Sequence, residues 1–116
     1  MRIYNRQHFL KLPKGTFFAK GQKWTMDGFC IKEESIMGRG GEYVDFFYSN
    51  LVNIDSHDSG QWADRLEEML EKRKSYPINL SYGRDGSFDQ EDVFLVFEDE
   101  DLKYIRKLIN EKLGDL

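Results

Sequence analysis

The chain has 116 residues, of which 40% are hydrophobic, 33% charged and 15% aromatic, and its formal net charge is −4. These values suit one folded domain spanning residues 1–116 and exclude a disordered chain. No apolar run approaches the ~20 residues of a membrane span, the opening residues do not form a signal peptide, and a lone cysteine, Cys30, allows no internal disulfide, so the expected location is the cytoplasm.

The first expected element is a short helix over Arg6–Leu12, capped by Asn5 and stopped by Pro13 and Gly15. Thr16–Lys20 reads as a strand, Gly21-Gln22 as a turn, and a second strand begins near Trp24. Phe29-Cys30-Ile31-Lys32 reads as another strand, with Cys30 as a packed thiol. The glycines at 38, 40 and 41 make Ser35–Glu42 an expected loop. The aromatic run Tyr43–Tyr48 is a further strand. Asp58 then caps a helix, with Gln61 placed for a capping box, and Trp62, Leu66, Met69 and Leu70 recur at helical spacing as a core-facing stripe. Lys72-Arg73-Lys74 suits the negative end of that helix, and Pro77 forbids its continuation.

Val93–Phe97 shows no polar alternation and is expected to be a central strand. Asp99-Glu100-Asp101 opens a last helix, with Leu102, Ile105, Ile109 and Leu113 in one stripe and Gly114 as its stop. The fold class expected is therefore α+β: an antiparallel or mixed sheet of four to five strands, with two main helices packed on it and a short N-terminal helix.

Charge is uneven, since residues 1–24 carry six bases and no acid. Those bases are dispersed, which points to internal pairing with the acidic remainder rather than to nucleic-acid binding. Glycine-flanked Arg84-Asp85, between Gly83 and Gly86, offers an anion-capturing fork beside Tyr82 and Phe88. Asp85-Gly86 is equally a turn dipeptide, with Asp89 just beyond it. His57 lies in the polar run Asp55–Gly60. A calcium loop opening at Asp55 would need a bidentate Glu where Leu66 stands. A helix start rich in Asp and Ser accounts for most of that run, including Asp58.

No phosphate loop, dinucleotide fingerprint, nucleophile elbow or zinc-spaced Cys/His set is present, so no cofactor, metal or catalytic residue is expected. The expected contact residues are Tyr82, Arg84, Asp85, Phe88, Asp89, His57 and Asp58. They would serve a non-enzymatic module that binds a protein partner, with a homodimer as a further expectation. Two alternatives remain: a small-ligand binder or small enzyme using Arg84, Asp85 and His57, and an inhibitor of a host nucleic-acid enzyme using the acidic stretch Asp89–Asp101.

Three segments together carry a resemblance: Tyr4-Asn5-Arg6 through Thr16, Asp58-Ser59-Gly60, and Gly83-Arg84-Asp85-Gly86 with Phe88-Asp89. The chain resembles small accessory proteins of bacterial mobile genetic elements, of the prophage or integron-cassette type. The resemblance implies an accessory role in a bacterial cell, exercised through a partner, and carries no catalytic residues.

Overall fold

A computed structural model of the chain describes residues 1–115. Six strands and three helices follow in the order β1 (Arg2–Asn5), α1 (Arg6–Phe9), β2 (Phe17–Gln22), β3 (Thr25–Met37), β4 (Tyr43–Asn50), α2 (Ser59–Lys72), β5 (Ser81–Arg84), β6 (Val93–Val96) and α3 (Asp99–Leu113). All strands join one antiparallel sheet in the order β1-β6-β2-β3-β4-β5. The α+β class holds, with six strands in place of the expected four to five. The apolar string at Val93–Val96 is interior to the sheet, between β1 and β2.

Local chemistry explains each boundary. The Asn5 side chain accepts from the His8 backbone N–H at 2.9 Å and starts α1, as its cap position requires. The helix proper is one turn, shorter than the expected Arg6–Leu12, because a tighter turn (Leu12 N to Phe9 O, 3.0 Å) leads into Pro13. Gly21-Gln22 is strand, not turn. The hairpin closes two residues later at Lys23-Trp24, between paired Gln22 and Thr25, with Lys23 at φ 43°. Gly21 is required instead for close approach: a Cβ there would lie 1.6 Å from the Thr25 carbonyl oxygen. The segments from Trp24 and from Phe29 merge into the single 13-residue β3, which continues through Ser35–Met37 past an irregularity near Glu33.

The Asp58 side chain caps α2 through the Gln61 N–H at 2.8 Å, while the Gln61 side chain accepts from the His57 N–H at 2.7 Å instead of closing the box on Asp58. Glu98 and Asp101 complete a capping box at the start of α3.

One face of the sheet holds the core. Phe9 of α1 is stacked on Phe94 (4.0 Å between centroids) and meets Phe18 and Phe46 edge-on at 4.8 and 5.2 Å. All four rings are buried, each worth roughly 1.5–3 kcal/mol of transfer free energy. The single turn of α1 is thus the plug of this face. The other face carries Phe17, Phe29 and Phe97 in contact. Here the expectation of two helices buried on the sheet is corrected, for neither α2 nor α3 has a buried residue. Trp62, Leu66 and Ile109 line an open trough and Leu70 is largely exposed, because no second layer closes over them.

Candidate functional site

The core face also gathers charge. Arg6, the first residue of α1, is 1% exposed and lies among three aspartates. Its guanidinium donates to Asp85 at 2.8 Å and to Asp45 at 3.2 Å, and lies 3.7 Å from Asp92. Lys20 of β2 donates to Asp85 at 2.6 Å and stands 3.3 Å from Asp92. Arg84 of β5 donates its Nε–H to Asp45 at 2.5 Å. Three cations therefore face three buried carboxylates drawn from β4, the 85–92 loop and the approach to β6.

Neutral donors complete the lattice. Backbone N–H groups of Phe46 and Gly86 reach Asp45 at 2.9 and 3.1 Å. Gln22 donates to Asp92 at 3.1 Å and to Asp89 at 2.7 Å, and the Ser87 hydroxyl donates to Asp92 at 2.9 Å. Burial pushes the Asp45 carboxyl up, but the bonds from Arg84, Phe46 and Gly86 outweigh it and hold the group below its usual range. Burial acts likewise on Asp92, and Gln22, Ser87 and Lys20 overcome it. For Lys20, burial favours the neutral form, yet Asp85 and Asp92 raise its pKa above the usual value.

Beside the lattice opens a cleft of about 480 Å³. Phe18, Phe46 and Cys30 form its apolar lining, and Lys20, Asp85 and Asp92 form one wall. Tyr48, Asn50 and Asp27 lie on the remaining sides. Asp27 is exposed to solvent at the cleft, and its carboxylate makes no hydrogen bond or ion pair among the described residues. Burial pushes the Cys30 thiol up, which keeps it protonated and a poor nucleophile. No group of three or more His, Cys, Asp or Glu side chains placed to hold a metal ion occurs among the described residues.

The expected contact residues separate into three places. Arg84, Asp85 and Asp89 are bonded into or onto the lattice, so their first task is to fix the loop. Phe88 lies over the Arg6 and Arg84 guanidinia at 5.8 and 5.9 Å, half exposed and at φ 55°, a left-handed conformation that costs a phenylalanine about 1–2 kcal/mol. Tyr82 is stacked on Phe47 and its hydroxyl donates to Glu34, which raises the phenol to about 12. His57 and Asp58 line a different, shallow cleft with Ser59 and Leu80, so the structure does not bring His57 into one cleft with Asp85.

Of the acidic stretch, Asp89 and Asp92 are held by Gln22, and Glu98 and Asp101 hold the N-terminal amine. Arg6, Lys20, Asp45 and Asp92 were not expected at the site. An acid inside an aromatic strand, as in Val44-Asp45-Phe46, is the sequence signal that such a charge has a buried partner. No helix among the described residues is long and apolar enough to cross a membrane. The chain matches no protein-family model, no curated protein and no solved structure.

Proposed function

We propose that the protein is a non-catalytic binding module that takes a basic side chain of a protein partner into the cleft beside Asp85 and Asp92. The observation that carries this reading is the exposed Asp27, the one charge of the cleft lining with no ion pair among the described residues, beside charges that are already paired. A lysine or arginine side chain has the matching form, an apolar stem for Phe18 and Phe46 and a cationic head for Asp27. The saturated lattice holds the wall rigid without offering a free acid or base, which suits recognition more than proton transfer. Phe88, half exposed over the Arg6 and Arg84 guanidinia, offers an aromatic anchor beside the lattice.

The test is an amide chemical-shift titration with amide-capped arginine, lysine and glutamate. The capped bases are expected to shift Thr25, Asp27, Cys30 and Asn50 at millimolar concentration, with capped glutamate inert. Asp27→Lys should abolish those shifts. Equal shifts from the acidic probe, or shifts confined to other surfaces, would overturn the reading.

A further inference from the structure

Asp27 faces the cleft because β3 is irregular beside it. Cys30 pairs with Phe18 and Asp27 with Lys20, so Gly28 and Phe29 together oppose Ala19. Three residues separate Asp27 from Cys30, an odd step that would put them on opposite faces of a regular strand. The bulge, with Gly28 at φ 122°, returns Asp27 to the face of Cys30. A side chain at Gly28 would be strained, and its Cβ would stand 3.1 Å from the Cys30 Sγ. Lys20, the cross-strand neighbour of Asp27, is held by Asp85 and Asp92 instead.

The β4 side of the cleft holds a second open group. Asn50 is the cross-strand neighbour of Cys30, on the same face, and lines the cleft. Its Oδ1 accepts from the Val52 N–H at 2.9 Å. A backbone N–H only donates, so this bond fixes the amide's orientation and leaves Nδ2 with both hydrogens. Nδ2 makes no hydrogen bond among the described residues. No buried side-chain nitrogen or oxygen among those residues lacks a partner, so Nδ2 is open to solvent. The cleft thus offers a free carboxylate on β3 and a free donor on β4. They lie one strand apart and two ladder steps along, about 8 Å between their Cα atoms at ordinary sheet spacings.

We infer that Asn50 is a specificity-determining residue that reads the ligand's main chain. Its Nδ2 donates to the carbonyl oxygen of the residue whose basic side chain reaches Asp27. The inference rests on the cleft being the seat of such a side chain. An extended lysine or arginine, its stem along the apolar floor, covers a comparable distance from its carbonyl to its charged head. The cleft volume of about 480 Å³ is that of a small-molecule site and takes the main-chain unit together with the side chain. The carbonyl has to be free to accept. Inside a helix it is already bonded to the N–H four residues on. The partner therefore presents its base from an extended segment or a loop.

Chemical-shift titrations with acetyl-arginine methylamide and with butylguanidinium test this. Butylguanidinium keeps the stem and the charged head and lacks the carbonyl. Both probes are expected to shift Asp27 and Cys30, with the capped arginine about fivefold tighter, the worth of one hydrogen bond. Asn50→Asp keeps the oxygen that Val52 needs and loses the donor. Its added charge acts on both probes, so the ratio of their affinities is the readout, and that ratio should fall to one or below. A helix-stapled peptide with one central arginine should bind more weakly than the same peptide unstapled. Equal affinities in the wild type, an advantage that survives Asn50→Asp, or tighter binding of the stapled peptide would overturn the inference and leave the cleft's taste for bases standing. Binding of neither probe would overturn both.

Discussion

Arg6 stands between buried aspartates and the rings of Phe46 and Phe88 with almost none of its surface in water. Arg6→Met would leave Asp45 and Asp85 short of a cation in a desolvated site. The expected loss is about 3–5 kcal/mol, read as a fall in the urea midpoint. Asp45 and Asp92 carry carboxyls below the ordinary value of 3.8, so beneath that pH the unfolded chain binds more protons than the folded one. Their stabilisation is fully present above it and is lost as pH falls through the depressed values. Asp92→Asn should therefore flatten the stability curve between about pH 4 and 2 in acid titrations followed by tryptophan fluorescence. Lys32 has the opposite problem: it is buried, its ammonium donates to the Glu33 carbonyl at 3.1 Å, and burial lowers its pKa. A lysine depressed on folding binds its proton more weakly in the folded state, so its penalty is full below the folded value and fades as pH climbs toward 10.5. Lys32→Met should raise Tm at neutral pH, and calorimetry should show the gap from wild type closing as pH rises.

The elements with a strong local code were legible. Asn5 and Asp58 cap the helices expected of them because a short polar side chain before an apolar period has few other uses. Tyr43–Asn50 and Val93–Val96 followed from aromatic and β-branched content. The strand Arg2–Asn5 escaped because only Ile3 and Tyr4 mark it, and it exists through its pairing with β6, ninety residues away in sequence. Gly21 misled for a physical reason: a glycine can serve a turn or a close backbone approach, and the sequence does not distinguish them. Gly21→Ala should therefore disrupt the β2–β3 hairpin, visible as lost strand signal in circular dichroism, whereas a turn glycine of ordinary geometry would tolerate it with a smaller loss. The lattice was half legible. Arg84 and Asp85 stood out between glycines, while Lys20 and Asp45 were hidden in strands whose apolar neighbours dominated the reading. The helical stripes were read correctly as periodic and wrongly as buried, because periodicity reports which face is apolar and not what covers it.

At the scale of the molecule, the two faces of the sheet differ in order. The core face is closed by a single turn and a saturated ion lattice, and the other face is open along two helices. Amide hydrogen exchange should follow that division, slowest in the middle of β2, β3 and β6 and faster by orders of magnitude in α2 and α3. The strand order adds a constraint in time. Among the described residues β1 is hydrogen-bonded only to β6, and β6 separates it from β2, so β1 has no place in the sheet until β6 is made. Arg6 likewise meets Asp85 across 79 positions. Such long-range closure slows folding. On a ribosome, until the segments that carry β5 and β6 have been made and have left the exit tunnel, the β2–β3–β4 meander must wait with both edges uncovered. The nascent chain is then a natural client for chaperones that shield strand edges.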